Sequence, residues 1–179
     1  MKPFALLMVC LLTLALAAPA FATAVGDISL YADDQGNSCN ITAPAGILTV
    51  YVVHKFSDGG SATGSRFKVT VPPGLAILAF TTTFVPIGNI SGDLSLGYGT
   101  CVSTTTSLGS ILINSSGPAA CSYLAVVAAD NFANPIATDC LFGEYTIKTG
   151  QAIANPDGSC QCSVATEPTS WGRVKALYR

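Results

Sequence analysis

Apolar residues in this chain form short segments in which apolar and polar positions alternate, and turn-forming residues separate each segment from the next. Ile28, Leu30 and Ala32 alternate in the first segment, and Ile47 to His54 is rich in β-branched and aromatic residues. Alternation with a period of two places apolar side chains on one face of a strand, and β-branched residues favour that conformation. Helical spacing occurs only near the C-terminus. The pattern therefore predicts an all-β protein.

Further segments of the same kind follow along the chain, and residues typical of turns lie between them. They are Arg66 to Val71, Leu75 to Val85, Asp93 to Tyr98, Leu108 to Asn114, Cys121 to Ala129, Ile136 to Phe142, Glu144 to Lys148 and Gln151 to Asn155. The Cys121 to Ala129 segment is apolar enough to be a central strand buried on both faces. About nine or ten strands joined by short turns predict an immunoglobulin-like antiparallel β-sandwich. We expect one domain, residues 25–164.

Residues 1–24 have the composition of a secretory signal peptide. Met1-Lys2 supplies a positive charge, Phe4 to Ala18 is almost entirely apolar, and small residues follow Pro19. The apolar run is shorter than the roughly 20 residues that a membrane-spanning helix needs. We expect this segment to be cleaved and the mature protein, without a membrane span, to be secreted to the extracellular space or the cell surface. The periplasm is the alternative.

Six cysteines lie outside the expected signal peptide. Their even number, and the oxidising compartment to which export delivers them, predict three disulfides. The six are Cys39, Cys101, Cys121, Cys140, Cys160 and Cys162. If each strand runs antiparallel to the next, Cys121 pairs with Cys140 at one end of the sandwich. The other four then pair as Cys39 with Cys162 and Cys101 with Cys160, or in the exchanged arrangement.

Catalytic chemistry has little support in the sequence. His54 is the only histidine and lies in an apolar segment, so a Ser-His-Asp or Cys-His site could be built only around it. Glycosidases need two facing carboxylates, and no pair is singled out among the two glutamates, Glu144 and Glu167, and the turn aspartates. Charged residues make up 10% of the chain, and no basic block precedes the C-terminal tail. This composition argues against nucleic-acid binding.

Three aromatic residues are candidates for ligand binding. Tyr31, Phe56 and Phe132 border turns, whereas most other aromatic residues lie within the predicted strands. An aromatic ring exposed at a turn can stack on a sugar ring or pack against a protein partner. We therefore expect these three residues to be the first to test for recognition of a polysaccharide or a protein.

Two turns carry the oxygen-bearing side chains that calcium prefers. Asp33, Asp34 and Asn37 surround one turn, and Asp157 lies with Asn155 in another that could meet the first. The spacing does not match an EF-hand loop. Local Asx turns explain the same residues without a metal. Calcium is therefore the one cofactor that the sequence suggests, and local Asx turns are the alternative interpretation of the same residues.

Four stretches together carry a resemblance to a known group of proteins. They are "GDISLYADDQGNSCNITAPAGILTVYVVHKF", "GDLSLGYGTC", "CSYLAVVA" and "ANPDGSCQC". They resemble an uncharacterised family of secreted bacterial β-sandwich proteins, whose members often end in a similar Trp-Gly-x-x-Lys-x-x-Tyr-Arg tail. A looser likeness, in strand rhythm alone, is to the cohesin and carbohydrate-binding-module type of sandwich, with "RFKVTVPPGLAIL" and "IGNISGDLSLGY" as consecutive strands. Neither resemblance supplies catalytic residues.

The C-terminal segment 165–179 differs from the rest of the chain. It contains the only tryptophan, Trp171, and a spacer, "ATEPTS", precedes it. Its basic residues are Arg173, Lys175 and Arg179. Trp171, Val174 and Tyr178 would share one face of a short helix, which is too short to be stable alone and has to dock. It can dock on the sandwich or on an external partner, and the resemblance implies an export or surface-attachment machinery.

These observations favour a secreted, non-enzymatic interaction module, extracellular or at the cell surface, that binds a protein or a glycan. A structural surface or fibre subunit is the alternative from another class. A hydrolase with an unrecognised carboxylate site has less support, because the sequence singles out no carboxylate pair.

Deletion of residues 171–179 tests the interpretation of the tail as a sorting signal. We expect the truncated protein to keep its melting temperature and its disulfides, because the tail would not contribute to the core. Its distribution between cell surface and medium should change, as measured by fractionation and immunoblotting. A large loss of melting temperature with unchanged localisation would instead assign the tail to the core of the sandwich.

Overall fold

The structure is a computed structural model that describes residues 26–57 and 59–162. The predicted signal peptide and the predicted C-terminal helix, with Trp171, Arg173, Lys175, Tyr178 and Arg179, lie outside these residues. Among the described residues, none forms a helix of the length and apolarity needed to cross a membrane. The strands are β1 (Asp27–Tyr31), β2 (Asn40–Ile41), β3 (Gly46–Lys55), β4 (Ala62–Thr70), β5 (Leu75–Thr81), β6 (Val85–Gly88), β7 (Leu94–Val102), β8 (Thr106–Ser115), β9 (Ser122–Val127), β10 (Ile136–Thr138), β11 (Glu144–Thr146), β12 (Lys148–Thr149) and β13 (Gln151–Ala154).

These strands form two sheets, which confirms the predicted all-β sandwich. The first sheet has the order β12-β1-β3-β8-β5. The second has the order β11-β10-β4-β9-β13-β2, and β7 pairs with β4 while β6 pairs with β7. Most neighbouring strands are antiparallel, but β1 pairs with β12, and β13 with β2, in parallel. The last two strands, β12 and β13, each pair with one of the first two strands, β12 in the first sheet and β13 in the second. The N-terminal and C-terminal strands are therefore held together in both sheets.

The hydrophobic core lies between the two sheets and takes mostly alternate residues from the longer strands β4, β7, β8 and β9. From the first sheet, Val50 and Val52 of β3 and Ile111 and Ile113 of β8 are fully buried. From the second sheet, the largest fully buried side chain is Phe67 of β4. The period-two alternation that predicted strands in the sequence is therefore the pattern that fills this core.

A buried polar contact crosses the core between the sheets. His54 of β3 is fully buried, and its Nδ1 lies 3.0 Å from the hydroxyl of Tyr98 on β7. The same hydroxyl donates to Ser65 Oγ of β4 at 2.8 Å. Burial raises the pKa of Tyr98, so the phenol stays protonated and can act as the bridge. The single histidine of the chain therefore has a structural position.

Strand β4 has a different partner on each edge, and one edge is interrupted. On one edge it pairs with β7. On the same edge, the Val69 N–H donates to the carbonyl of Ile90, just before β7 begins, at 2.7 Å. On the other edge β9 ends where Val127 pairs with Lys68, and β10 resumes where Ile136 pairs with Arg66. β9 and β10 are therefore two halves of one strand, and residues 128–135 leave the sheet between them.

Four of the predicted strands differ in the structure. Glu144 to Lys148 is divided, because β11 ends at Thr146 and β12, which begins at Lys148, belongs to the other sheet. Leu75 to Val85 is two strands rather than one, because Thr82 Oγ1 donates to the carbonyl of Leu108 at 2.6 Å and turns the chain. The segment Ile136 to Phe142 is a strand only as far as Thr138, and its remaining residues form a turn. Tyr123 of β9 is 50% exposed, so that strand is buried on one face only.

The described residues contain three disulfides, as predicted, but only one of the predicted pairings is correct. Cys39 pairs with Cys162. The other two are Cys101 with Cys140 and Cys121 with Cys160, which replace the predicted Cys121 with Cys140 and Cys101 with Cys160. The prediction treated β9 and β10 as antiparallel neighbours. Because they run in the same direction along β4, the cysteine before β9 and the cysteine after β10 lie at opposite ends of that strand.

The Tyr98 bridge should contribute to stability. Tyr98→Phe removes two buried hydrogen bonds without changing the ring, and we expect the free energy of unfolding to fall by about 1–3 kcal/mol. Urea denaturation measures this loss. Tyr123→Phe, on a half-exposed side chain, is the matched control and should have little effect. Equal losses in the two variants would show that the bridge contributes nothing specific.

Candidate functional site

Two rows of side chains cross the outward face of the second sheet. Paired residues of neighbouring strands project to the same face, so the pairing register identifies each row. The first row is Val85, Gly97, Gly64, Thr138 and Glu144, and the second is Ile87, Ser95, Arg66, Ile136 and Thr146. Both rows run across β6, β7, β4, β10 and β11 in that order. They make this face continuous from the edge of β6 to the edge of β11.

A shallow depression lies on this face where two glycines meet. Gly64 and Gly97 are paired, and neither places a side chain in the first row. A Cβ added at Gly97 would have no neighbour within 4 Å, so the space above it is open. The depression has a volume of about 360 Å³, and its walls include Ile87, Phe132 and Glu144. The strand pairing therefore creates a concave surface without any strand leaving the sheet.

One wall of the depression is made by Phe132 and Arg66. The centre of the Arg66 guanidinium lies 3.9 Å from the centroid of the Phe132 ring, a cation–π contact. The guanidinium also donates to both carboxylate oxygens of Asp93, with 2.7 Å from Nε to Oδ1. This bidentate pair lowers the pKa of Asp93 and keeps it ionised. Arg66 is thus fixed by an aromatic ring on one side and a carboxylate on the other.

The interruption between β9 and β10 supplies the Phe132 side chain. Residues 128–135 fold back over β4, where Lys68 Nζ donates to Asp130 Oδ1 at 2.6 Å. The backbone N–H of Asp130 donates to the carbonyl of Gly92, in the turn between β6 and β7, at 3.1 Å. This segment therefore spans from one edge of β4 to the other and closes one end of the depression.

Large apolar side chains surround the depression and are exposed to solvent. Val85 and Ile87 on β6 are 64% and 70% exposed. Leu141 and Phe142, in the turn that joins β10 to β11, are 89% and 80% exposed. Thr138 and Glu144, which line the depression, directly precede and follow that turn. We call the surface formed by Val85, Ile87, Phe132, Leu141 and Phe142 the docking face.

Of the three aromatic residues predicted to bind ligand, the structure brings only Phe132 to this face. Tyr31 is 4% exposed, and the Lys55 ammonium lies 4.8 Å from its ring centroid. Phe56 stacks on the buried His54 with 4.0 Å between ring centroids and packs against the core. Flanking a turn in sequence does not ensure that a side chain projects from it.

The predicted calcium ligands have local hydrogen-bonding partners. The carboxylate of Asp33 accepts from the backbone N–H groups of Gln35, Asn37 and Ser38. Partial desolvation raises the pKa of Asp33, but these backbone hydrogen bonds outweigh it and hold the pKa below its ordinary value. Asp34 is exposed beside it. The arrangement is that of a turn closed by its own aspartate.

The second acidic turn is also closed locally. Asp157 Oδ1 accepts from Ser159 Oγ at 2.6 Å and from the backbone N–H of Ser159 at 2.7 Å, and these hydrogen bonds lower the pKa of Asp157. Its oxygen also lies near the sulfurs of Cys121 and Cys160, the one group of three metal-ligand side chains among the described residues. Because those two sulfurs form a disulfide, they are not available as thiolate ligands. Asp33 and Asp34 are not part of this group.

A second cleft, of about 570 Å³, opens beside the Cys39–Cys162 disulfide. Tyr31 lies in its wall. Two of its three charged groups have partners, since Asp27 accepts from Ser29 Oγ at 3.0 Å and Lys55 Nζ donates to the carbonyl of Gly36 at 2.7 Å. Burial raises the pKa of Asp27. This cleft is larger than the depression, but none of the large exposed apolar side chains among the described residues lines it.

The docking face contains residues that the sequence did not single out. Val85, Leu141 and Phe142 were assigned to strands, where exposed and buried positions cannot be distinguished when both are apolar, and Ile87 lies between two of the segments that alternation assigned to strands. One signal was available for the turn, because Asp139 and Gly143 bracket Leu141 and Phe142 and are typical turn residues.

The role of Asp33 can be separated from calcium binding by mutation. We expect Asp33→Ala to lower the free energy of unfolding by about 1 kcal/mol, because three backbone N–H groups lose their acceptor. Asp34→Ala, the adjacent control, should change stability by less than about 0.5 kcal/mol. We expect the melting temperature of the unmodified protein to be the same in calcium and in EGTA. A calcium-dependent increase that Asp33→Ala abolishes would establish a metal site.

Comparisons with known proteins find similarity in structure alone. No family model matches the sequence, and no curated protein matches it. A cohesin module from a family 33 glycoside hydrolase of Clostridium perfringens ATCC13124 has a TM-score of 0.53 at 8% identity, over 75% of this chain and 100% of that chain. The third ScaB cohesin of R. flavefaciens, solved in complex with a group 1 dockerin, has a TM-score of 0.52 at 12% identity, over 74% and 96% of the two chains. A non-cellulosomal cohesin from the hyperthermophilic archaeon Archaeoglobus fulgidus has a TM-score of 0.50 at 12% identity, over 72% and 89%. The chain therefore has a cohesin-like fold, as the strand rhythm of the sequence suggested.

Proposed function

We propose that this protein is a non-enzymatic module that binds another protein through the docking face. The observation that carries the proposal is the group of large apolar side chains that stay exposed around a concave surface. A cluster of this kind on a folded domain marks an interaction site more often than a single exposed apolar residue does. The Arg66–Asp93 pair lies beside it and supplies polar groups of the kind found at interface rims.

The cohesin-like fold supports a protein as the partner. One of the similar structures is of a cohesin in complex with a dockerin, which is a complex of two proteins. A polysaccharide partner has less support on this face, because stacking on sugars favours two or three coplanar aromatic rings. Here Phe132 is covered by Arg66, and the exposed residues on β6 are aliphatic.

A hydrolase has less support than a binding module. The residues lining the depression include one carboxylate, that of Glu144. The nearby Asp93 is held by Arg66, so it is not a second acid facing the same space. Acid–base hydrolysis of a glycoside requires a pair. A structural surface or fibre subunit remains the alternative from another class, and self-association distinguishes it from a module that binds a different protein.

The proposed location is outside the cell or on its surface. Three disulfides in one domain of this size favour an oxidising compartment, and residues 1–24 have the composition of an export signal. We propose that the basic and aromatic tail residues are read by an export or surface-attachment machinery, which would leave the docking face free for its partner. These residues are Trp171, Arg173, Lys175, Tyr178 and Arg179.

Polar substitution on β6 tests the proposed function. Val85→Thr with Ile87→Thr keeps the β-branched shape while removing exposed apolar groups, so the strand should fold. A partner captured from the source culture with the unmodified protein, identified by mass spectrometry and purified, should bind this double variant at least about tenfold more weakly. Isothermal titration calorimetry with the purified partner measures the difference.

The matched control is Ile47→Thr with Leu112→Thr, on the outward face of the other sheet. Those residues are 60% and 38% exposed and lie on β3 and β8. The control should bind the partner as the unmodified protein does. If instead the control loses affinity and the β6 variant does not, the partner docks on the opposite sheet and the proposed site is wrong.

A further inference from the structure

The turn between β10 and β11 is held in one conformation by its own hydrogen bonds. The Asp139 carboxylate accepts from the backbone N–H groups of Leu141 at 2.8 Å and Gly143 at 2.7 Å. The Asp139 N–H donates to the carbonyl of Gly143 at 2.9 Å, and the Phe142 N–H donates to the Asp139 carbonyl at 3.1 Å. Four hydrogen bonds within five residues make this turn rigid.

A disulfide fixes the position of this turn on the domain. Cys140, inside the turn, is bonded to Cys101 of β7. At the base of the turn, Thr138 pairs with Glu144 within the hairpin and with Gly64 of β4. The turn therefore cannot fold down to cover its own apolar side chains without breaking a covalent bond or the strand pairing.

The two side chains at the tip are the most exposed large apolar residues described. Leu141 is 89% and Phe142 is 80% exposed. The backbone of Phe142 has φ of 65°, in the left-handed region that aromatic residues seldom adopt and that costs about 1–3 kcal/mol. Gly or Asn would occupy this position without that cost. Rigid presentation of an apolar pair in a strained backbone has no role in the stability of this domain.

We propose that Leu141 and Phe142 form an anchor that inserts into an apolar pocket on the protein partner. This inference rests on the proposed function, since the anchor is the part of the docking face that lies directly beyond Thr138 and Glu144, at the margin of the depression. A small number of buried apolar and aromatic side chains usually provides most of the affinity of an interface. A side chain that is already fixed loses little conformational entropy on binding, which favours such an anchor.

The charges around the anchor define the rim of the partner's pocket. Asp139 and Glu144 flank the turn, residues 136–146 contain no Lys or Arg, and the nearby Arg66 guanidinium is already paired with Asp93. We therefore expect a pocket with an apolar floor and a basic rim, because opposite charges at a rim speed association. An anionic membrane surface fits less well, since carboxylates flanking a membrane-inserting tip would be repelled by acidic lipids.

Leu141→Ser with Phe142→Asn tests the anchor. Asn tolerates the left-handed backbone, so we expect the variant to fold with an unchanged or higher melting temperature. Its affinity for the purified partner should fall at least about 30-fold, mainly through faster dissociation, in surface plasmon resonance. Leu78→Ser, at a side chain that is 54% exposed on β5, is the control and should bind normally.

The β6 variant measured in parallel separates this inference from the proposed function. Weakened binding in both variants supports both. Weakened binding in the β6 variant alone leaves the docking face in place and overturns the anchor. Weakened binding in the tip variant alone supports the anchor but moves the interface away from β6, and unchanged binding in both overturns both proposals.

Two further measurements address other uses of the same tip. Co-sedimentation with vesicles of phosphatidylcholine and phosphatidylglycerol that the tip variant abolishes would overturn the inference in favour of a membrane. Concentration-dependent dimerisation in analytical ultracentrifugation that the tip variant abolishes would overturn it in favour of self-association. We expect the unmodified protein to remain monomeric and to stay in the supernatant of the vesicle assay.

Discussion

The pairing of β4 along both of its edges is the constraint on which the rest of the second sheet depends. β7 occupies one edge, and β9 and β10 share the other. On the inward side β4 contributes Phe67, the largest fully buried side chain, to the core. On the outward side it contributes Arg66 and Lys68, which hold the excursion between β9 and β10. The same strand therefore supports the core and one wall of the depression.

The interrupted edge also explains the disulfide pattern. A continuous strand from β9 into β10 would carry the chain along β4 without leaving the sheet. Because residues 128–135 leave and return, Cys140 arrives beside Cys101 at the start of β4, while Cys121 lies at the far end with Cys160. Each bridge closes a loop in the unfolded chain and is worth roughly 2–4 kcal/mol. The bridges thus fix both the ends of the domain and the turn that carries Leu141 and Phe142.

The sequence was sufficient for the fold class but not for the candidate site. Alternation along segments such as Ile47 to His54 requires one buried face, and ten such segments can bury those faces only by packing sheets together. The site depends on details that alternation does not encode. Nothing in "CSYLAVVAADNFANPIATDCLFG" indicates that its first part, β9, and its second part, β10, pair with the same edge of β4. Phe132 was therefore noticed only as a residue beside a turn. Ile87 was not noticed, because it lies between two of the segments that alternation assigned to strands, although the structure places it on β6.

Rigidity links the depression to the tip and decides how a partner would contact them. Strand β10 is hydrogen-bonded to β4, and its turn is bonded covalently to β7, so the tip and the floor of the depression belong to one body. A partner that contacts both the tip and the depression loses its translational and rotational freedom only once. The second contact therefore adds affinity without a further entropic cost. Reduction of the Cys101–Cys140 bond would leave only the pairing of β10 with β4 to hold the tip, and would therefore weaken this coupling. An oxidising environment would therefore favour the proposed docking face as well as the stability of the domain.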